Sequence, residues 1–401
     1  MIEPLSILML LAVTIVLGYI GSLIFDRTRI PDIVWLLILG LLVGPVFNLI
    51  DRTIFIAVSP LLGAVALLII LFDAGLHMNF YQIIKQIPRS ILLAVLGMFL
   101  TTISISLLSM LFFNFNLIEG LILGATISGT SSAVVISIVS QLKIKANIRN
   151  ILNLESIITD PLIIVIVIVL IQIATASAPA SIPSVLASAY SVAIVLGFIA
   201  GIVWIFVLDK IKKRPFDYML TLAFVLLLYV VVESIGGSGA ISTLIFGLVL
   251  GNSVVFSKML RFKKIFRIDH MLEKFQTEIT FFIRSFFFVY IGLIATINST
   301  YLAYGIIFTI VIILLRFLVI KIGTIKMKLK KLELNIMKIM VPRGLAAAVL
   351  AQLPLAYGFQ NGEIYINIAF IVILSTVLYT TIATRFFYKP IKKSKDLKSV
   401  E

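Results

Sequence analysis

Long apolar stretches separated by short polar connections dominate the pattern of this 401-residue chain. A helix needs about 20 apolar residues to cross the hydrocarbon core of a bilayer, which is roughly 30 Å thick. Stretches that suit this length lie near residues 4–25, 31–48, 55–76, 88–113, 117–140, 149–173, 184–208, 215–235, 239–257, 274–297, 301–322, 335–356 and 363–387. The pattern therefore predicts an all-α polytopic membrane protein with about 13 transmembrane helices.

Composition supports a membrane environment. Hydrophobic residues make up 61% of the chain and charged residues only 13%, which is too little polar surface for a soluble globule of this length. A net charge of +15 favours nucleic-acid binding in a soluble protein, but here the basic residues cluster between apolar stretches. We therefore expect membrane lipid, and not nucleic acid, around this chain. The absence of cysteine excludes thiolate metal sites.

Basic clusters occur in every second connection, which predicts the orientation in the membrane. The first cluster contains Arg27 and Arg29 and the last begins at Arg385, whereas only Arg52 lies in an intervening connection. Because short cytoplasmic loops hold the excess of Lys and Arg, we expect the N-terminus outside a cell membrane and the C-terminus in the cytoplasm. Residues 389–401 are expected to form a short basic tail, without a soluble regulatory domain.

Short motifs recur in the same order in the two halves of the chain. The sequence Gly40–Pro45 has a counterpart in Gly247–Asn252, 207 residues later, and Phe72–Leu76 has one in Val289–Leu293, 217 residues later. The charge rule makes each matched pair cross the membrane in opposite directions. An inverted-topology repeat of this kind is typical of secondary transporters. Glycines that only pack helix against helix are the simpler alternative.

Two matching spans contain residues that interrupt a helix. The fifth span contains Ser128–Ser132, and the twelfth contains Val341–Gly344 about 213 residues on. Proline removes a helical hydrogen bond, and irregular backbone at membrane depth survives only inside the protein or beside a cavity. We expect two broken, crossing helices near the midplane, with Thr130 and Ser131 close to a bound ion. Hydroxyls that merely bond to their own helices are the alternative.

Three acids, Asp73, Glu155 and Asp160, and two bases, Arg316 and Arg343, are expected deep within the predicted spans. Such residues are energetically costly and functional by default. An unpaired arginine is hard to keep in lipid, so at least one acid is expected in an ion pair. Asp160 has the richest polar context, because Thr159 precedes it and Pro161 loosens the helix. A charged network that only fixes helix packing is the alternative. We expect Arg284 nearer the cytoplasmic end, snorkelling or paired with Glu278.

A carboxylate in a partly desolvated cavity holds a proton more tightly than it does in water. A proton and a hard monovalent cation therefore compete for such a group. Competition at Asp160 is sufficient for exchange if the site opens to one side of the membrane at a time. Two other classes stay open. A cation channel requires a continuous pore, and a sodium-coupled importer of an organic solute requires a sizeable pocket.

The segment Glu155-Ser156-x-x-Thr159-Asp160-Pro161 resembles the Glu-Ser-x-x-Asn-Asp signature of the cation/proton antiporter superfamily, particularly its sodium/proton exchangers with 13 spans. The likeness covers nearly the whole chain. It implies that Asp160 binds Na⁺ or K⁺ and that Glu155 forms a structural ion pair with Arg316.

The same resemblance gives further expectations for the site. It implies that Ser156, Thr159 and Asp73 lie near the ion, and that Arg343 belongs to the Arg-Gly motif of the broken twelfth helix. We expect Na⁺, K⁺ or Li⁺ and H⁺ as the transported ions, with no cofactor and no enzymatic activity.

The resemblance also implies a division of the transmembrane domain, residues 1–388. A scaffold at about 1–86 and 209–297 is expected to form a homodimer, and a mobile core covers about 87–208 and 298–388.

Two departures from the family pattern affect the expected ion and stoichiometry. The triplet Thr130-Ser131-Ser132 stands where these exchangers usually carry Thr-Asp-Pro, and it is closer to the potassium-efflux branch. Sodium stays the first expectation, and this departure makes potassium the alternative. Thr159 stands where electrogenic relatives carry a second aspartate, so the resemblance implies electroneutral exchange of one cation for one proton.

Overall fold

The structure is a computed structural model that describes residues 4–28, 30–50, 59–78, 88–175, 182–211, 216–260, 270–296, 298–325, 327 and 329–387. Every regular element in these ranges is helical, and they contain no strand. The predicted all-α class is therefore confirmed. The tail at 389–401 and most of the basic clusters that predict the orientation lie outside the described residues.

The first half of the chain forms α1 (Pro4–Thr28), α2 (Asp32–Leu41, continued by a π-helical turn at Leu42–Val46), α3 (Ser59–His77), α4 (Pro88–Phe113), α5a (Leu117–Thr126), α5b (Ser132–Ser140), α6 (Ala146–Thr175) and α7 (Ile182–Ile211). The second half forms α8 (Asp217–Ser234), α9a (Gly239–Gly251), α9b (Ser253–Met259), α10 (His270–Ile294), α11 (Ser299–Gly323), α12a (Lys331–Ile339), α12b (Leu345–Ala356) and α13 (Gly362–Phe387). Each predicted stretch thus contains one helix or one interrupted pair.

Helix length and composition support fewer transmembrane spans than the hydrophobic pattern of the sequence predicts. Seven described helices are long and apolar enough to cross a membrane, or eight if the bent pair α9a and α9b counts as one span. The count of 13 therefore stays a prediction. The bend of 79° between α9a and α9b was not predicted. It falls at Asn252, whose side-chain amide donates to the carbonyl oxygens of Leu248 (2.8 Å) and Met78 (2.7 Å).

Repeat-related glycines bring α2 and α10 into close contact. A Cβ atom at Gly40 would clash with the carbonyl oxygen of Val289, and one at Gly292 would clash with that of Leu37. Small residues allow helix backbones to approach closely in membranes. The two helices therefore cross at a point where glycine is required on both.

The matching crossing joins α3 and α9a. A Cβ atom at Gly75 would clash with the carbonyl oxygen of Leu244, and one at Gly247 would clash with that of Phe72. The repeat relates α2 to α9a and α3 to α10, so these two crossings are the same contact formed twice. This packing agrees with the inverted repeat seen in the sequence.

The helices form two packed groups. The first contains α1 to α3 and α8 to α10, and the second contains α4 to α6 and α11 to α13. The groups meet where α12b lies against α3 and α10. Helix α7, which the predicted division counts with the core, packs on α9a, with Gly197 against Ser242 and Gly201 against Val249. The division into a scaffold and a mobile core stays a prediction.

We predict that Gly292→Ala destabilises the protein by about 1–3 kcal/mol, because the added methyl group meets backbone that must move. Gly97→Ala is the matched control, since its Cβ would lie 3.9 Å from its nearest neighbour, Val319 Cγ1. Thermal unfolding of both variants in detergent measures the difference. Equal unfolding temperatures would show that the α2–α10 crossing tolerates a side chain.

Candidate ion-binding site

The interrupted helices α5 and α12 touch each other through their irregular segments, residues 127–131 and 340–344. The backbone N–H of Ser131 donates to the carbonyl oxygen of Pro342 at 2.8 Å. Gly344 lies directly against Ser131, where a Cβ atom would collide with the hydroxyl oxygen. The missing side chain therefore allows the two breaks to meet, and proline leaves no amide hydrogen there to satisfy.

Asp160 of α6 lies at the beginning of α5b. Its Oδ2 atom accepts a hydrogen bond from the Ser132 hydroxyl (2.7 Å) and another from the Ser132 backbone N–H (3.3 Å). The N-terminus of a helix carries partial positive charge and free N–H groups, which favour an anion. In the described part of the chain, no basic group pairs with Asp160 and no donor bonds to its Oδ1 atom.

The predicted ligands Thr130 and Thr159 bind each other beside this acid. The two hydroxyl oxygens lie 3.2 Å apart, and the Thr130 backbone N–H lies 3.3 Å from the Thr159 hydroxyl. Both side chains are buried, and both line a cavity of about 20 Å³, which has room for about one water molecule. They fasten α6 to the first break. No hydrogen bond among the described residues joins either threonine to Asp160.

Two other predicted ligands have different neighbours. The Ser156 hydroxyl donates to the carbonyl oxygen of Asn153 at 2.9 Å, one turn earlier in α6. The Ser131 side chain packs on Gly344. In the part of the chain that the structure describes, neither hydroxyl bonds to Asp160.

Asp73 lies one turn before the end of α3. Its Oδ1 atom is 3.4 Å from Nδ1 of His77, and its carbonyl oxygen is 2.9 Å from the same nitrogen. The structure thus places Asp73 in a local pair with His77. No described hydrogen bond or ion pair connects it to Asp160.

Glu155 and Arg316 form a buried ion pair, as the family resemblance implies. The Arg316 side chain donates through Nη1 to Oε1 and through Nη2 to Oε2, the latter at 3.0 Å. Its Nε–H donates to the carbonyl oxygen of Met337 at 3.0 Å. This bidentate geometry is the strong form of an arginine–carboxylate contact. The pair therefore links α6, α11 and the end of α12a.

Arg343 lies in the second break and is 3% exposed. Its Nε–H donates to the carbonyl oxygen of Ile127 (2.6 Å), and its Nη1 donates to that of Val341 (3.4 Å). These oxygens follow the C-termini of α5a and α12a, where the helix dipole leaves partial negative charge. Arg343 forms no ion pair with any described acid. Its charge is instead compensated by the carbonyl ends of both interrupted helices.

Two contacts were not predicted from the sequence. Ser132 supplies the hydroxyl that binds Asp160, although only its neighbours were predicted as ligands. The available signal was its position as the first residue of a half-helix, where N–H groups are free. Arg284 pairs with Asp32 of α2 at 2.9 Å and not with Glu278, which lies 4.0 Å from Lys274. A partner on a distant helix leaves no trace in local spacing.

The Arg284–Asp32 pair lines a crevice between the two helix groups. The crevice has a volume of about 110 Å³, and its other wall consists of Ala133, Val134 and Ser137 of α5b. Ala133 directly follows the serine that bonds to Asp160. Open space between the groups therefore extends to the helix turn that holds the acid.

Crossing interrupted helices, an acid at one of their N-termini and an inverted repeat are together typical of secondary transporters. The chain belongs to the sodium/hydrogen exchanger family, since the family model for the transmembrane sodium/hydrogen exchanger matches residues 12–389. It is thus a multi-pass membrane protein of an antiporter family, and the resemblance seen in the sequence is confirmed.

The fold is shared with solved structures. The sodium proton antiporter MjNhaP1 from Methanocaldococcus jannaschii, solved at pH 8, superposes with a TM-score of 0.77 at 22% identity. The match covers 96% of this chain and 98% of that one.

Similar sequences include antiporters with two different named ions. The probable Na(+)/H(+) antiporter 2 of Methanocaldococcus jannaschii is 29% identical over 290 residues, which are 69% of this chain and 66% of that protein. The K(+)/H(+) antiporter NhaP of Alkalimonas amylolytica is 24% identical over 383 residues, which are 93% of this chain and 64% of that protein. The chain thus spans just under two thirds of the length of these relatives.

We predict that Glu155→Gln destabilises the protein by about 3 kcal/mol or more, because it leaves the buried charge of Arg316 unpaired. The double variant Glu155→Gln/Arg316→Gln is expected to regain part of that loss. Glu278→Gln is the control, since its ion pair is exposed and such pairs contribute little. Thermal unfolding in detergent compares these variants with Arg316→Gln alone. A double variant that loses the sum of both single losses would argue against direct coupling.

Proposed function

We propose that this protein is a secondary antiporter that exchanges Na⁺ for H⁺ at Asp160. The observation that carries the proposal is the charge balance among the described acids near the crossing. Glu155 is neutralised by Arg316, whereas Asp160 has no basic partner and is held through one oxygen at the beginning of α5b. Unwound helix segments near the midplane supply oxygen ligands for cations in such transporters, and an ionisable residue at membrane depth marks an ion pathway.

The chemistry follows from this position. A cation at the site is coordinated by Asp160, by the Ser132 hydroxyl and by carbonyl oxygens of the first break. In the absence of a cation, a proton neutralises the carboxylate, because a bare charge is costly at membrane depth. Each species leaves when the other arrives. Thr130 and Thr159 keep the break fixed to α6, so the carboxylate and its serine move together.

Alternating exposure requires the second helix group to move against the first. The Glu155–Arg316 pair and the Arg343 contacts hold α5, α6, α11 and α12 together as one body. The crevice at Arg284 and Asp32 separates this body from α2 and α10. We propose that the first group is the scaffold, that it forms a homodimer in the membrane, and that the N-terminus faces outside.

Potassium is the second candidate for the transported cation. The triplet Thr130-Ser131-Ser132 lacks the acid that sodium exchangers of this family usually carry there, and several similar proteins are named K(+)/H(+) antiporters. Uptake of labelled Na⁺, K⁺ and Li⁺ under one imposed proton gradient discriminates between these ions.

We predict that Asp160→Asn reduces exchange to the background of protein-free liposomes, because the amide neither releases a proton nor attracts a cation. The assay is uptake of labelled Na⁺ or K⁺ into proteoliposomes driven by an imposed proton gradient. Asp217→Asn, at the beginning of α8 and outside the site, is the matched control and should transport at the wild-type rate. Equal uptake by Asp160→Asn and wild type would refute the assignment.

We also predict electroneutral exchange. Only one carboxylate changes its occupant, so one cation replaces one proton and no net charge crosses the membrane. Initial rates measured with the membrane potential clamped at several values should then be the same. A rate that rises steeply with potential would require a second titrating group and would contradict this stoichiometry.

A further inference from the structure

A second crevice separates the two helix groups at another place. It has a volume of about 200 Å³ and is formed by α3, α8 and α9a on one side and by α6 and α12b on the other. Its polar lining residues in the described part of the chain are Gln172, Tyr229, Glu233, Ser238 and Tyr357, and Glu233 is the only carboxylate among them.

The inverted repeat relates this crevice to the one at Arg284. Asp32 is the first residue of α2, and the offset of 207 residues matches it to Gly239, the first residue of α9a. The Glu233 Oε1 atom accepts a hydrogen bond from the Gly239 backbone N–H at 2.8 Å. A carboxylate therefore lies at the N-terminus of each of the two repeat-related helices, beside a crevice.

The carboxylates of Asp32 and Glu233 differ in whether a basic side chain lies beside them. Arg284 neutralises Asp32 at 2.9 Å. The offset of 217 residues between α3 and α10 matches Arg284 to Leu67, which lines the second crevice. In the described part of the chain, no basic group forms an ion pair with Glu233. The repeat thus places leucine where the first crevice has its arginine, and the carboxylate of the second crevice stays uncompensated.

Other side chains that carry oxygen atoms line the same crevice. The Gln172 Oε1 atom is buried and has no hydrogen-bond partner among the described residues. The side chains of Tyr229 and Tyr357 also line the crevice. A carboxylate with neutral oxygen donors suits a hard monovalent cation, and a charged cleft raises the local concentration of its ligand.

We propose that Glu233 and its neighbouring oxygens form a second cation site, which collects the transported ion on its way to Asp160 from the side to which this crevice opens. By the charge pattern of the loops, that side is the outside. This inference rests on the proposed exchange function. The competing explanation is that Glu233 only caps α9a.

Glu233→Gln separates the two explanations, because glutamine keeps an acceptor for the Gly239 N–H but loses the charge. The cation KM is measured from each side of the membrane in proteoliposomes with oriented protein. We expect KM on the crevice side to rise about five- to tenfold, with kcat and the KM of the opposite side unchanged. Leu67→Arg, which supplies the missing arginine, should raise the same KM, whereas Leu67→Met should not.

A binding measurement tests the proposed Glu233 site without relying on transport. Tl⁺, a monovalent cation with strong anomalous scattering, should still occupy the crevice in Asp160→Asn protein and should be lost in Asp160→Asn/Glu233→Gln. Unchanged KM and unchanged Tl⁺ binding after loss of Glu233 would overturn this site and leave the exchange at Asp160 intact. Full transport by Asp160→Asn would instead overturn the proposed function. The Tl⁺ measurement would then still show whether the crevice at Glu233 binds a cation.

Discussion

The cost of placing charge at membrane depth governs the arrangement of this protein's core. The buried charges near the crossing in the described part of the chain are compensated to different degrees. Glu155 and Arg316 neutralise each other, and Arg343 lies against the carbonyl ends of two half-helices. Asp160 has only a helix N-terminus and one hydroxyl. Because partial charges compensate a full charge incompletely, this acid is the one group near the crossing that gains from a cation or a proton.

Interrupting two helices supplies the partial charges that this balance needs. A continuous helix satisfies its own amides and carbonyls, whereas each break frees one positive and one negative end at the same depth. Pro342 and Gly344 allow the two breaks to touch through backbone, and the bond between Thr130 and Thr159 secures the first break to α6. The same interruption that costs backbone hydrogen bonds therefore creates the site.

The inverted repeat relates the two halves of the first helix group, which are alike in their helix crossings and different in the charge beside them. Equivalent glycines lie at the α2–α10 and α3–α9a crossings, so the same close backbone contact occurs in both halves. The crevices beside these helices share a carboxylate at a helix N-terminus but differ at one position, Arg284 against Leu67. A single exchange of charge for hydrocarbon therefore makes one crevice neutral and the other negative. Under the proposed exchange function, this difference gives the two ends of the path different affinities for a cation.

The sequence by itself determined the helical class, the two interruptions, the paired glycines and the acid Asp160, because hydrophobic length, proline, glycine and intramembrane charge act locally. Only the tertiary structure decided which groups meet. Ser132, and not Ser131, is the hydrogen-bond partner of Asp160. Asp73 pairs with His77, and Arg284 of α10 pairs with Asp32 at the beginning of α2. Spacing along one helix gives the relative direction of its side chains, but the packing of separate helices fixes what lies in that direction.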